Sequence, residues 1–260
     1  MPLAAITRAV SPSLNQCELS FIERQPIDVA RAIAQHEAYA ACLESLGIRV
    51  IRLPAAPEFP DGVFVEDPAL VLDEIAVITR PGAASRRGEA ESLAEALAPF
   101  RPLRRIREPG TLEGGDVVRI GRALFVGRSA RSNREGMEQL ARETAAFGYT
   151  VEGVEICSCL HLKSACTYLG RETILANPDW VDLAPLAGCR VIEVARAEPA
   201  AADALAIGDT VVLPASFPQT AGLLEQAGWR VMPVDVSELQ KAEAGVTCMS
   251  VIFEARSSTA

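Results

Sequence analysis

What most restricts how this chain can fold is a phrase that recurs along it: an apolar strand, a tight turn, a second apolar strand, then a loop of small residues. Four copies can be laid out: VFVEDPALVLDEIAVITRPG from Val63, GGDVVRIGRALFVGRSA from Gly114, LHLKSACTYLGRETILANP from Leu160 and ADALAIGDTVVLPASF from Ala202. The turns Asp73-Glu74, Gly121-Arg122, Gly170-Arg171 and Gly208-Asp209 predict hairpins whose turn residues adopt φ > 0. Three copies run on into a helical stretch and a β-branched strand. These are residues 89–100 before Leu103 to Ile106, Asn133 to Phe147 before YTVEGVEI, and Gln219 to Ala227 before GWRVMPVDV. A fifth helix and strand, Asp28 to Gly47 and IRVIRLP, lacks its own hairpin, which the segments Ala5 to Ala9 and Val246 to Ala255 complete. A ββαβ unit repeated five times makes either an open solenoid or a closed ring. With a strand at the far end and no polar capping repeat, the sequence predicts closure into one α/β domain over residues 1–260, a five-bladed propeller around a central channel; an ordinary α/β sandwich is the alternative.

Composition narrows the partners. With 25 Lys+Arg against 34 Asp+Glu the formal charge is −9, and the basic residues form no run longer than the pairs Arg86-Arg87 and Arg104-Arg105, so nucleic-acid binding is not expected. The opening MPLAAITRAV has no secretory pattern, and nowhere do 18 apolar residues follow one another, so no membrane span is expected. Seven cysteines, an odd number in a chain long enough to fold without staples, point to reduced thiols and a cytoplasmic location.

Several of these residues carry chemistry. His36 lies within a helix, where a packed or solvated ring is the ordinary outcome, whereas His161 opens a repeat hairpin. Cys157, Cys159 and His161 alternate and would share one face of an extended strand. That spacing suits a zinc site poorly, because ligands along a strand stand about 6 to 7 Å apart, and buried small hydrophobes are the plainer reading of Cys157, Cys159 and Cys166. Cys248 differs: it sits in AGVTCMSVIF at a loop-to-strand junction, where a thiol can be held ready as a nucleophile if a histidine and a carboxylate join it in space. Glu66-Asp67 in FVEDP and Glu113 with Asp116 in LEGGD stand at hairpin starts equivalent by repeat to His161, with turn chemistry the plainer account of Asp116. In a closed ring these groups converge on the channel, a setting for a cationic electrophile.

The segments FPDGVFVEDP, ITRPGAASRRGE, PGTLEGGD, VGRSARSN, HLKSAC and GVTCMS, in this order over residues 59–250, resemble the dimethylarginine dimethylaminohydrolase family. The resemblance implies the pentein fold of the guanidino-modifying enzymes, in agreement with the repeat. It also implies hydrolysis of Nω-methylated arginines to citrulline and methylamine or dimethylamine, with no cofactor. By the same resemblance Cys248 attacks the guanidinium carbon, and His161 protonates the leaving amine and then activates water. Glu113, Asp67 and Glu66 hold the guanidinium; Arg86 and Arg131 bind the α-carboxylate; Asp61 lies near the α-amino group; Leu19 rides a mobile flap; and Ala242 offers its backbone carbonyl. Zinc bridging Cys248 and His161 would inhibit, and a homodimer is compatible with the family. One departure stands out: Ala201 to Ala204 read Ala-Ala-Asp-Ala where relatives show Ala-Ala-Asn-Cys, so Asp203 adds a negative charge near the channel. The competing readings are an arginine deiminase or another guanidine hydrolase of the same fold, and a non-catalytic pentein binding module.

Overall fold

The structure is a computed structural model that describes residues 2–255; Met1 and residues 256–260, the ends of the expected 1–260 domain, lie outside it. It contains five three-stranded sheets. In each, two antiparallel strands are followed by a third strand parallel to the second. Blade one pairs Leu3–Arg8 with Val251–Glu254 and with Arg49–Leu53. Blade two is Ala69–Val71, Ala76–Ile78 and Leu103–Arg105. Blade three is Val117–Ile120, Ala123–Arg128 and Thr150–Glu155. Blade four is Cys166–Gly170, Thr173–Ala176 and Arg190–Glu193, and blade five Leu205–Ile207, Thr210–Pro214 and Arg230–Val234. Because the last strand pairs with the first, the ring is shut by hydrogen bonds.

The apolar core closes the ring a second time. Each cluster of buried side chains lies between neighbouring blades: Ile6 and Phe253 meet Ile78 and Leu93; Val77 meets Val126 and Leu140; Phe125 and Val154 meet Cys166 and Ile174; Leu175 and Ile192 meet Val211 and Leu224; and Val212 and Val234 meet Ala5, Tyr39 and Leu43. At about 1.5–3 kcal/mol for each fully buried Leu, Ile, Val or Phe, no blade can bury its faces alone.

Helices fill the outer layer where the sequence predicts them. They are α1 (Val29–Ser45), capped by the Asp28 carboxylate on Arg31 N–H, α2 (Ala90–Leu97), α3 (Arg134–Ala145), capped by Asn133 on Gly136 N–H, and the blade-five helix Pro218–Gln226. Blade four carries instead a single 3-10 turn, Ala184–Leu186, because Pro178 and Pro185 interrupt any helix there. The hairpin turns hold positive φ at Gly121, Gly170 and Gly208, but not at Asp73-Glu74, where Leu72 N–H bonds Ile75 C=O at 2.9 Å. Among the described residues no helix is long and apolar enough to cross a membrane.

Candidate active site

Each blade delivers the residue just before its first strand to the ring axis. Asp67 precedes Ala69, Glu113 precedes the turn leading to Val117, His161 precedes the short helix α4 (Leu162–Ala165), and Cys248 precedes Val251. His161 is therefore the cap of a helical turn rather than the first residue of a strand. Its register is fixed from behind by Asp116, whose carboxylate accepts Leu162 N–H at 3.1 Å and the hydroxyls of Ser129 and Ser132 at 2.6 Å each. Asp116 is thus a structural residue, with burial raising it to about 6. The alternation expected of Cys157, Cys159 and His161 does not form: Ser158 takes φ 58, leaving Cys157 exposed and Cys159 buried.

His161 Nε2 lies 2.6 Å from Glu113 Oε2 and 3.8 Å from Asp67 Oδ1, with all three side chains buried. Only glycine fits at position 115, where a Cβ would stand 2.7 Å from Asp67 Oδ1 and 2.8 Å from His161 Nδ1. Burial alone would lower the imidazole's pKa, but Asp67, Asp116 and Glu113 outweigh it and raise the ring to about 10, so it is an imidazolium at neutral pH. In turn, His161 and Arg86 hold Asp67 below its ordinary value despite burial, and the bond to His161 does the same for Glu113. By donor type Asp67, Glu113 and His161 could also surround a metal ion, yet in this arrangement they neutralise one another and Arg86.

A small cavity, about 20 Å³, is walled by Asp61, Asp67, Arg86, Arg131, His161, Ala242 and Cys248, together with Glu18, Phe64, Leu160, Glu243 and Ala244. The Cys248 thiol is buried; burial first, then Asp203, Glu66 and Asp67, push its pKa well above the ordinary range, so it is neutral at rest. Asp61 accepts Glu18 N–H at 3.1 Å, and Arg131 reaches Glu113 at 3.4 Å and Ser20 Oγ at 3.4 Å.

Three residues expected on the substrate do not line this cavity. Glu113 is fully buried, and its carboxylate is engaged by the His161 ring, Gly82 N–H and Arg131. The Glu66 carboxylate bonds Lys163 Nζ at 2.5 Å and Thr247 Oγ1 at 2.7 Å, and with them it forms the floor of a second cavity of about 300 Å³ rather than the wall of this one. Leu19 is half-buried against the core and is not part of the wall. Arg86 is on the wall, but its fork grips Glu89 and its Nη1 holds Asp67 at 2.6 Å, which leaves Arg131 the less engaged cation.

The segment that follows Glu18 on the cavity wall is fastened by a residue that no sequence pattern singles out. The Glu243 carboxylate accepts the backbone N–H groups of Ser20, Phe21 and Ile22. Its partners are more than 200 residues away, and no local pattern marks such a latch.

The profile of the family described as "N,N dimethylarginine dimethylhydrolase, eukaryotic" matches residues 7–182. The chain belongs to the dimethylarginine dimethylaminohydrolase family. It is 39% identical over 228 residues, 87% of its length and 90% of the relative's, to the N(G),N(G)-dimethylarginine dimethylaminohydrolase of Pseudomonas aeruginosa. It is 38% identical over 248 residues, 95% of each chain, to that of Streptomyces coelicolor. Among solved structures, the Pseudomonas aeruginosa enzyme with its cysteine mutated to serine, complexed with citrulline, superimposes with a TM-score of 0.92 at 36% identity, covering 96% of this chain and 98% of that one. The five-bladed ring is thus the pentein fold of this dimethylarginine dimethylaminohydrolase family member, as the repeat and the motifs predict.

Proposed function

We propose that the protein hydrolyses Nω-methylated arginines to citrulline and methylamine or dimethylamine, through a thiouronium intermediate on Cys248. The observation that carries this reading is one buried cavity whose wall joins a thiol, an imidazolium and the carboxylate of Asp67. A guanidinium is a planar, permanent cation, and Asp67 offers it an edge. Its arrival beside Cys248 favours the thiolate, which adds to the guanidino carbon. His161, already charged, gives its proton to the departing amine nitrogen as the C–N bond breaks. The ring, now neutral, takes a proton from the water that attacks the thiouronium carbon; the C–S bond then breaks, the adduct's hydroxyl gives its proton to solvent, where the freed amine takes it up, as the carbonyl forms, and citrulline is released. Glu113 keeps the ring in place through both steps.

Arg131 is the cation proposed for the α-carboxylate, with Arg86 beside it, while Asp61 and the Ala242 carbonyl face the α-amino end. A cavity of about 20 Å³ holds little more than a water, so substrate entry requires the 18–24 segment carrying Leu19 to lift from Glu243. We read residues 1–260 as one catalytic domain that works in the cytoplasm, where seven free thiols stay reduced, and a homodimer is compatible with it.

The test is citrulline formation from asymmetric dimethylarginine, monomethylarginine and arginine in parallel, with Cys248→Ser as blank. Turnover of the methylated substrates alone is the expected result. Turnover of arginine instead would keep the chemistry and reassign the substrate, and silence on all three would overturn the reading.

A further inference from the structure

The blade register that delivers Asp67, Glu113, His161 and Cys248 to the axis has a fifth member, Asp203, just before the first strand of blade five. Its side chain is buried against the nucleophile. Oδ1 accepts Thr247 N–H at 3.0 Å; Oδ2 lies 3.3 Å from Thr247 Oγ1 and accepts the Cys248 thiol at 3.8 Å. The packing admits nothing bulkier opposite, since a Cβ at Gly245 would stand 2.0 Å from Asp203 Cγ. The Thr247 hydroxyl has one proton, and Glu66 Oε2 at 2.7 Å is its better acceptor, so Oδ2 is not held by that hydroxyl and remains open to the thiol.

We propose that Asp203 is a catalytic residue, the base that takes the Cys248 proton when a guanidinium seats and returns it when the thiolate is expelled. The proposal rests on the reading of Cys248 as nucleophile toward a cationic substrate. A base is needed, because the thiol is neutral at rest and His161 already carries its proton. In the first step the S–H bond breaks toward Oδ2, the sulfur pair forms the S–C bond, and the guanidino π pair moves onto nitrogen. In the last step the S–C bond breaks, its pair returns to sulfur and takes the proton from Oδ2, and the adduct's hydroxyl proton passes to solvent as the carbonyl forms, so Asp203 ends each cycle as a carboxylate. The charged and titratable groups facing it are Glu66 and Lys163 from the channel floor, Cys248 itself and the Tyr39 phenol of α1. Burial, then Glu66, raise Asp203 to about 7, which suits a base working near neutrality.

Asp203→Asn preserves shape and the acceptor for Thr247 N–H while removing the base. Two readouts should move in opposite directions. The Cys248 thiol, titrated by thiolate absorbance with Cys248→Ser subtracted, should ionise at lower pH because a negative neighbour is gone. The kcat/KM for dimethylarginine should nevertheless fall about 100-fold, the low end for loss of a general base. A kcat/KM equal to or above that of the parent would overturn the proposal. Alkylation of Cys248 by chloroacetamidine, a cationic electrophile, followed by peptide mass, reads the same step without turnover. In the parent protein its rate should rise through an inflection near pH 7 that the Asn variant lacks. A parent profile with no such inflection refutes the role of Asp203 even if the variant does not fold. A parent inert to methylarginines but showing the inflection would instead fault the substrate assignment.

Discussion

Replacing Glu113 by Gln leaves an amide oxygen against His161 Nε2 and removes only the charge. In the parent site the ring is raised from 6.5 to about 10, which at 1.36 kcal/mol per pKa unit amounts to about 5 kcal/mol in favour of the imidazolium. Three carboxylates share this against the opposing cost of burial, and Glu113 provides the 2.6 Å hydrogen bond as well as its charge. Its removal should lower the ring's midpoint by about 1–2 units, or roughly 1.5–3 kcal/mol. The molecule suits the measurement, because its other histidine titrates at the opposite extreme: burial, then Arg52, push His36 down to about 4. In the parent protein, imidazole carbon shifts followed by NMR should show neither ring titrating between about pH 5.5 and 8.5, one neutral and one charged throughout. In Glu113→Gln, His161 alone should begin to titrate toward the upper end of that window. Stability follows the same sign. A histidine whose folded pKa lies above its unfolded one contributes fully below about 6.5 and loses that contribution as pH rises to about 10, so the parent's denaturant midpoint should fall over that interval and fall less in the variant. A parent His161 midpoint between 6 and 7.5, or one unmoved by the substitution, would refute the argument and with it the acid-first role of the ring.

Other substitutions probe the remaining parts of the site. Cys248→Ser should abolish citrulline formation to below about one part in a thousand in an end-point assay, since a hydroxyl has no comparable way to ionise there. Arg131→Ala should raise KM for dimethylarginine about 10- to 100-fold, the value of a charged hydrogen bond to the α-carboxylate, with a smaller effect on kcat. Glu243→Ala removes the acceptor of three backbone N–H groups, each worth about 0.5–1.5 kcal/mol, and should speed tryptic cleavage after the exposed Arg24 at least tenfold.

How far the amino-acid sequence could be read depends on which contacts are local. Four of the blades were legible because each holds a strand, a tight turn and a strand within some 20 residues, the turn containing Gly in three of them, and because those units place Asp67, Glu113 and His161 at equivalent positions. What each side chain then does is decided by partners from other blades. Glu66 and Asp67 are neighbours in sequence, yet Lys163 and Thr247 draw one carboxylate to the floor while Arg86 and His161 keep the other on the wall. Glu113 has the same register as a substrate clamp would have, and only Gly82 and Arg131, brought in by tertiary packing, reveal that its carboxylate is already engaged. Asp203 stood out as an unusual charge near the channel, but its approach to Cys248 depends on Gly245 leaving room.

The balance of charge around the thiol bears on how the cycle ends. The substrate guanidinium is a cation and the ureido group of citrulline is neutral, so the attraction of Asp67 that holds the one is lost for the other, while both keep the same α-carboxylate and α-amino contacts. At an effective dielectric constant near 20, a unit charge pair 4 Å apart is worth about 4 kcal/mol, part of which is offset by desolvation of the cation. A net difference of about 1.5–3 kcal/mol makes citrulline bind roughly 10- to 150-fold more weakly than the guanidino amino acid from which it forms. Inhibition constants for citrulline, measured against the dissociation constant of dimethylarginine on Cys248→Ser, test this directly. Equal affinities would mean that the carboxylates of the site act on His161 and Arg86 alone and take no part in holding the substrate's charge. A strong preference that vanishes in Asp67→Asn would assign that hold to the one acid that faces thiol, imidazolium and cavity together.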